Sequence, residues 1–189
     1  MLLIVGLGNP GEEYTNTRHN IGREFTESFV EKSDFPDLGL SIKFKSLLSE
    51  SKVGKEKIIL ACPETFMNKS GQAVASLSKF YKIKPAGIFV IHDDADLKLG
   101  QTKLAFGKHS AGHKGVESVI KALKTRDFWR LRVGVAGKKD IPAEKIILRK
   151  FTPEETKLIK KVFKKTAGAL DLIIAEGPEK AMNKYNQNE

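Results

Sequence analysis

The sequence predicts an α/β fold with a mixed β-sheet. Apolar, β-branched runs alternate with segments of helical periodicity, and one pair of runs is joined as a hairpin at Gly54-Lys55-Glu56. At 189 residues the chain suits one domain, 1–189, with a substantial core.

The elements follow in order. Residues 2–7 read as a buried strand. Residues 20–32 read as an amphipathic helix that buries Ile21, Phe25, Phe29 and Val30, and Ser33 to Gly39 as a loop. Segments 42–53 and 57–62 read as paired strands. Gly71 to Tyr81 reads as a helix with Val74, Leu77 and Tyr81 inward, broken by Pro85-Ala86-Gly87. Ile88 to Ile91 is a strand ending at His92-Asp93-Asp94. Residues 102–106 and 130–136 are further strands, and Val116, Val119, Ile120 and Leu123 mark a helix between them. Thr152-Pro153-Glu154-Glu155 is a capping box with proline at the first helical position. The helix it opens carries Leu158, Ile159, Val162, Phe163, Ala169, Leu170, Ile173 and Ile174 on one face, and Gly177-Pro178 stops it.

Composition narrows the function. No apolar stretch approaches the roughly 20 residues that span a bilayer, and the N-terminus has no secretory pattern. Cys62, the one cysteine, falls in a predicted strand and reads as a small buried hydrophobe. A cytoplasmic protein is expected. Lys plus Arg is 33 against 23 acidic residues, a net charge of +10, which favours a polyanionic partner, nucleic acid first.

Gly6-Leu7-Gly8-Asn9-Pro10-Gly11 follows the first strand as G-x-G-x-x-G. A dinucleotide site needs a helix starting in that turn and a second strand with an acidic residue about 20 positions on. Here a proline–glycine turn intervenes, and the later segment is a loop. The alternative is a tight turn that presents Asn9 beyond a strand end. Asn9, His19, Asn68, Asp93 and His113 all fall at predicted junctions between elements and loops, where function concentrates. Asp93-Asp94-Ala95-Asp96 invites a metal, but neighbours on a strand point to opposite faces, and no His/Cys set at ligand spacing accompanies them. No nucleophile elbow is present. What remains is a histidine general base, oriented by a carboxylate, activating water.

Six stretches together resemble bacterial peptidyl-tRNA hydrolase: VGLGNPGEEYTNTRHNIG (5–22), PETFMNKSGQAV (63–74), HDDADLKLG (92–100), SAGHKGVESVI (110–120), RLRVGVAG (130–137) and GPEKAMNKYN (177–186). The resemblance implies a monomeric domain with a twisted mixed sheet flanked by helices. It implies cleavage of the ester between a peptide and the 3′-terminal ribose of tRNA, with no metal or organic cofactor and no membrane. His19 then takes the role of base and Asp93 that of orienting carboxylate, and Asn9 and Asn68 supply amides to the substrate. Tyr14, Phe66 and Met67 match positions lining the 3′-end and peptide site, and His113 matches a loop histidine over the cleft. Arg132 matches one arm of a clamp on the tRNA 5′-phosphate. On this reading Gly8 and Gly11 let the chain turn so that Asn9 aims inward.

The sequence also departs from the family. Gly112-His113-Lys114-Gly115 carries Lys114 where asparagine is usual, and it stands either in the cleft or turned outward. The second clamp position is Ala105, for which Lys103 or Lys108 would substitute, and Ala95 is smaller than usual. A non-catalytic RNA-binding protein on the same fold is the competing expectation. A nucleotide-cofactor oxidoreductase is the third.

Overall fold

The computed structural model describes residues 1–136 and 142–186. Gly137, the end of the stretch RLRVGVAG, lies outside them. Seven strands form one sheet: β1 (Leu2–Gly6), β2 (Gly39–Ser41), β3 (Ser46–Val53), β4 (Glu56–Pro63), β5 (Ile88–Lys98), β6 (Thr102–Phe106) and β7 (Trp129–Ala136). Their order is β2-β3-β4-β1-β5-β7-β6. Strands β4, β1, β5 and β7 are parallel, and β2–β3, β3–β4 and β6–β7 pair antiparallel.

Helices cover both faces, as a parallel core requires. Those on one face are α1 (Ile21–Glu31), α5 (Pro153–Glu176) and α6 (Pro178–Tyr185). They pack on Ile4, Leu60, Phe89, Ile91, Leu131 and Val133. On the other, α2 (Ser70–Tyr81) and α3 (Lys114–Leu123) pack on Leu3, Val5, Ile59, Ile88 and Val90. The alternation along each strand, with Leu3 and Val5 to one side and Ile4 to the other, is the period-2 rule of a pleated strand buried on both faces. A one-turn helix, α4 (Ala143–Ile146), precedes α5. Among the described residues no helix is long and apolar enough to cross a membrane.

Several expectations need correction. The strand expected from residue 42 begins at Ser46. Lys45 takes a left-handed φ of 48° and Ile42 is 84% exposed, so residues 42–45 turn between β3 and the short edge strand β2. β5 does not stop at Asp94. It continues to Lys98 with a register shift against β7 between Asp94 and Lys98. Leu158 leaves the buried face of α5, and Thr166 joins it. The expected capping box is present: Thr152 Oγ1 accepts from the Glu155 amide, and Glu155 accepts from the Thr152 amide.

The opening glycines serve packing more than turning. A Cβ on Gly6 would lie 2.3 Å from the Gly22 carbonyl oxygen, and one on Gly8 2.6 Å from Arg23 Cβ. Of the two glycines expected to turn the chain, only Gly11 has positive φ, 110°. Gly8 is there because α1 crosses β1 too closely for a side chain.

Candidate active site

β1 is followed by α1 on one face of the sheet, and β4 by α2 on the other. The chain therefore leaves β1 toward β4 on one side and returns to β5 on the opposite side. The crevice at the carboxyl ends of these strands is the topological switch point, where open α/β sheets bind ligands. A cleft of about 760 Å³ lies there, lined among others by Asn9, His19, Met67, Asp93 and His113.

His19 sits in a single 3-10 turn, Arg18–Asn20, that leads into α1. Its amide donates to the Ile147 carbonyl at 2.8 Å, and the Arg18 amide to Arg149 at 3.0 Å. The Arg18 side chain is buried. It donates to both Glu155 carboxylate oxygens, at 2.8 and 2.7 Å, and to the Val135 carbonyl at 3.3 Å. The histidine turn is thereby tied to the segment before α5 and to the first turn of α5 itself.

The His19 ring donates through Nδ1 to Asp93 Oδ1 at 2.8 Å, with both residues buried. Asp93 Oδ1 also accepts from His113 Nε2 at 2.8 Å. His113 is the N-cap of α3: its Nδ1 accepts from the amides of Gly115 and Val116 at 3.1 and 3.2 Å. That acceptance fixes the His113 proton on Nε2. Burial works to raise the Asp93 carboxyl. The interactions of His113, and after them those of His19, outweigh it and hold the carboxyl well below the usual carboxylate range. Asp93 is thus an anion with two N–H donors on one oxygen, and in a neutral His19 ring the lone pair falls on Nε2.

Ligand atoms of His19, Asp93 and His113 all lie within 4.8 Å of one another. A cation there would need lone pairs on His19 Nδ1 and His113 Nε2. Both nitrogens are donors to Asp93, and moving the His113 proton to Nδ1 would set it against two helix amides. The donor set fits a hydrogen-bond network better than a metal. Asp94, on the opposite face from Asp93 as the strand alternation requires, pairs with Arg132. His92 is buried, donates from Nδ1 to the Asp93 carbonyl at 2.6 Å, and is held neutral, its pKa well below the ordinary value, by burial and the nearby His113.

Asn9 is held by three hydrogen bonds. Its amide donates to Asn20 Oδ1 at 2.8 Å, its carbonyl accepts from Asn20 Nδ2 at 2.9 Å, and its Oδ1 accepts from the Met67 amide at 2.8 Å. With Oδ1 engaged, the Asn9 Nδ2 hydrogens are the donors it offers to the cleft it lines. Asn68, exposed in the next 3-10 turn, and Phe66, 55% exposed, stand on the same wall.

Other expected residues lie differently. Tyr14 does not line the cleft. It meets Phe66 edge-on at 6.5 Å. Lys114 is exposed and is among the residues that line the cleft, as the first residue of α3. Arg132 is half-buried and carries Asp94 as counter-ion. Lys103 is its cross-strand neighbour on β6, and Lys108 is exposed on the loop after β6. Ala105 is buried opposite Arg130. Cys62 is buried, and burial pushes its thiol pKa far up, as expected of an inert hydrophobe. The residues that sequence reasoning missed are Asn20, Arg18 and the wall formed by Glu144, Lys145, Ile147 and Leu148. Asn20 had a signal, since it follows His19 directly at a helix start. The wall had none.

A family model described as peptidyl-tRNA hydrolase matches residues 3–189. A peptidyl-tRNA hydrolase of Desulfitobacterium hafniense is 41% identical over 191 residues, covering 99% of this chain and 100% of the relative. One from Aquifex aeolicus is 42% identical over 99% of this chain and 97% of its own. A crystal structure of the enzyme from Acinetobacter baumannii superposes with a TM-score of 0.90 at 33% identity, covering 98% of this chain and 94% of that one.

Proposed function

The chain belongs to the peptidyl-tRNA hydrolase family, and on that premise we propose that it hydrolyses the ester between a peptide and the 3′-terminal ribose of tRNA with water activated by His19. The observation that carries this is the His19 Nδ1–Asp93 Oδ1 hydrogen bond at the floor of the cleft. It leaves Nε2 as the base.

Water on His19 Nε2 attacks the ester carbonyl carbon as the ring takes its proton. Asp93 stabilises the imidazolium that forms. The carbonyl oxygen gains negative charge, and Asn9 Nδ2, fixed by Asn20 and Met67, is the donor aimed at that charge. Asn68 supplies a second amide to the peptide, and neutral amides suit an uncharged backbone. The tetrahedral centre collapses, the C–O bond to the ribose breaks, and the imidazolium returns its proton to the leaving 3′ oxygen. Phe66, with Tyr14 behind it, and Met67 give apolar surface to the peptide and the terminal base. Lys114, Lys103, Lys108 and Arg132 take phosphates, and the net charge of +10 supports RNA as the partner. The same reading makes the protein a cytoplasmic monomer that works as one domain over residues 1–189.

Release of free tRNA from a purified peptidyl-tRNA tests it. His19→Ala and Asp93→Asn should each lower kcat by about 10²–10⁴ with tRNA affinity within a few-fold of wild type. Tight tRNA binding without turnover in the wild-type protein would favour an RNA-binding role instead.

A further inference from the structure

His113 lines the cleft, yet both of its ring nitrogens are spent inside the protein. Nδ1 accepts from the Gly115 and Val116 amides, and Nε2 donates to Asp93 Oδ1. A neutral imidazole has one donor and one acceptor, so no polar atom of the ring is left for RNA or peptide. The side chain is only 7% exposed. It packs between two other rings, His19 with centroids 4.8 Å apart and His92, edge-on, at 4.7 Å. A Cβ on Gly115 would lie 3.1 Å from His113 Cε1, so the first turn of α3 also closes on the ring. The chain enters this arrangement through two consecutive left-handed residues, Ala111 with a φ of 50° and Gly112 with 81°. Alanine is disfavoured there, and what the turn delivers is His113 at the N-cap of α3.

Asp93 has a use for so fixed a neighbour. Among the described residues only His19 and His113 donate to its carboxylate, and both meet on Oδ1 rather than taking one oxygen each. A carboxylate turns about a broad terminal torsion, so a single partner would leave it free to swing. His19 is the ring that gains and returns a proton in the reaction, and it is the weaker anchor of the two. His113 has its tautomer set by backbone amides. The order therefore runs from the start of α3 to His113, from His113 to Asp93, and from Asp93 to the base.

We propose that His113 is a positioning residue for the base: it holds the Asp93 carboxylate so that Oδ1 stays on His19 Nδ1, and it makes no polar contact with substrate. This role rests on the hydrolase reading. It concerns a residue that the chemistry of water attack does not itself call on.

Two substitutions separate the two bonds of the ring. Counted in bonds from Cβ, asparagine Oδ1 falls where histidine Nδ1 does, and glutamine Nε2 where histidine Nε2 does. His113→Asn thus keeps an N-cap acceptor for α3 and loses the donor to Asp93. His113→Gln keeps a donor at the reach of Nε2 and loses the ring nitrogen at the cap. Turnover of peptidyl-tRNA, urea midpoints and spectra of protein labelled with 15N-histidine are compared. His113→Asn should lower kcat about 10–100-fold with a urea midpoint close to that of the wild type. Its KM should stay within about twofold, since no substrate contact is lost. His113→Gln should recover most of the lost kcat and lower the urea midpoint instead. In an Asp93→Ala background, His113→Asn should cost no more than about a further twofold, because no carboxylate remains to be held. The proton signal of His19 Nδ1–H should move or broaden in His113→Asn and stay in place in His113→Gln. A raised KM with kcat unchanged would make His113 a substrate contact and overturn the proposal. So would equal losses of kcat in both variants, or a full loss that persists without Asp93. A wild-type spectrum at pH 8 with the His113 proton on Nδ1 overturns it whatever the variants do. Wild-type protein that turns over no peptidyl-tRNA would sink the hydrolase reading. The histidine spectra, which need no substrate, would then still decide whether His113 holds the carboxylate.

Discussion

Asp93 gives one oxygen to two imidazoles, and the bonding of each ring decides what the other can do. The amides of Gly115 and Val116 fix the His113 proton, His113 donates it to Asp93, and Asp93 holds the His19 proton on Nδ1. Because the folded Asp93 pKa is depressed, its contribution to stability is fully present above the ordinary carboxylate value of about 3.9. It is lost only as pH falls below that value, so the carboxylate stays charged wherever the enzyme works. Asn20 has the same kind of influence on Asn9. It accepts from the Asn9 amide and donates to the Asn9 carbonyl, and it never enters the cleft lining. Asn20→Ala removes both bonds, loosens the backbone that carries the Asn9 side chain, and should lower kcat/KM about 10–100-fold at every pH tested. Steady-state kinetics across pH check this. An unchanged kcat/KM would mean that Met67 alone orients Asn9.

At the scale of elements, α1 carries a titration the mechanism does not use. Glu24 is raised to about 6, first by burial and against the hydrogen bond from the Asn16 amide. A carboxyl whose folded pKa lies above its unfolded value of about 4.3 makes the fold less stable as pH rises through that window. The cost is complete above about pH 6. After allowance for partial exposure it amounts to about 1 kcal/mol. Glu24→Gln should remove it, so the stability difference between variant and wild type should be near zero at pH 4 and near that value at pH 7.5. Urea denaturation at the two pH values measures this. The elements themselves were legible where a local rule decided them. The capping box at Thr152 and Glu155 needs only four residues, and the apolar spacing of α1 and α5 needs only the helical period. β2, the extension of β5 past Asp94 and the helix α6 were not legible, because each is decided by a partner. Leu40 of β2 pairs with Leu47, and Lys98 of β5 pairs with Ala136 across a register shift. α6 has a polar face to solvent and buries only Ala181 fully. In the cleft, His19 and Asp93 could be matched as a pair through the family resemblance. The second claim on Asp93 Oδ1 could not, because a shared acceptor leaves no mark on residue type or spacing.

For the molecule as a whole, the sheet has two edges and treats them differently. The β2 edge is three residues long, too short to template much further pairing. The β6 edge is longer and is closed by the end of the chain. Asn186 Oδ1 accepts from the Leu104 amide and Asn186 Nδ2 donates to the Leu104 carbonyl, both at 2.9 Å. One side chain thus makes the pair of bonds that a neighbouring strand would make. α6 is the strut that delivers it: Ala181 is fully buried, and Met182 and Tyr185 pack on the core shared by α1 and α5. Gly168 of α5 leaves room for the Tyr185 hydroxyl, which would lie 2.6 Å from a Cβ there. Asn186→Ala should therefore cost about 1–2 kcal/mol, read as a lower urea midpoint, with ester turnover unchanged because the edge lies outside the cleft. Removing residues 178–189 should do more: it bares the core under α6 and opens the β6 backbone to a second copy. Concentration-dependent light scattering and a lowered Tm are the expected results. A truncated chain that stays monodisperse at high concentration would show that the strand edge is protected by something other than Asn186 and the helix that carries it.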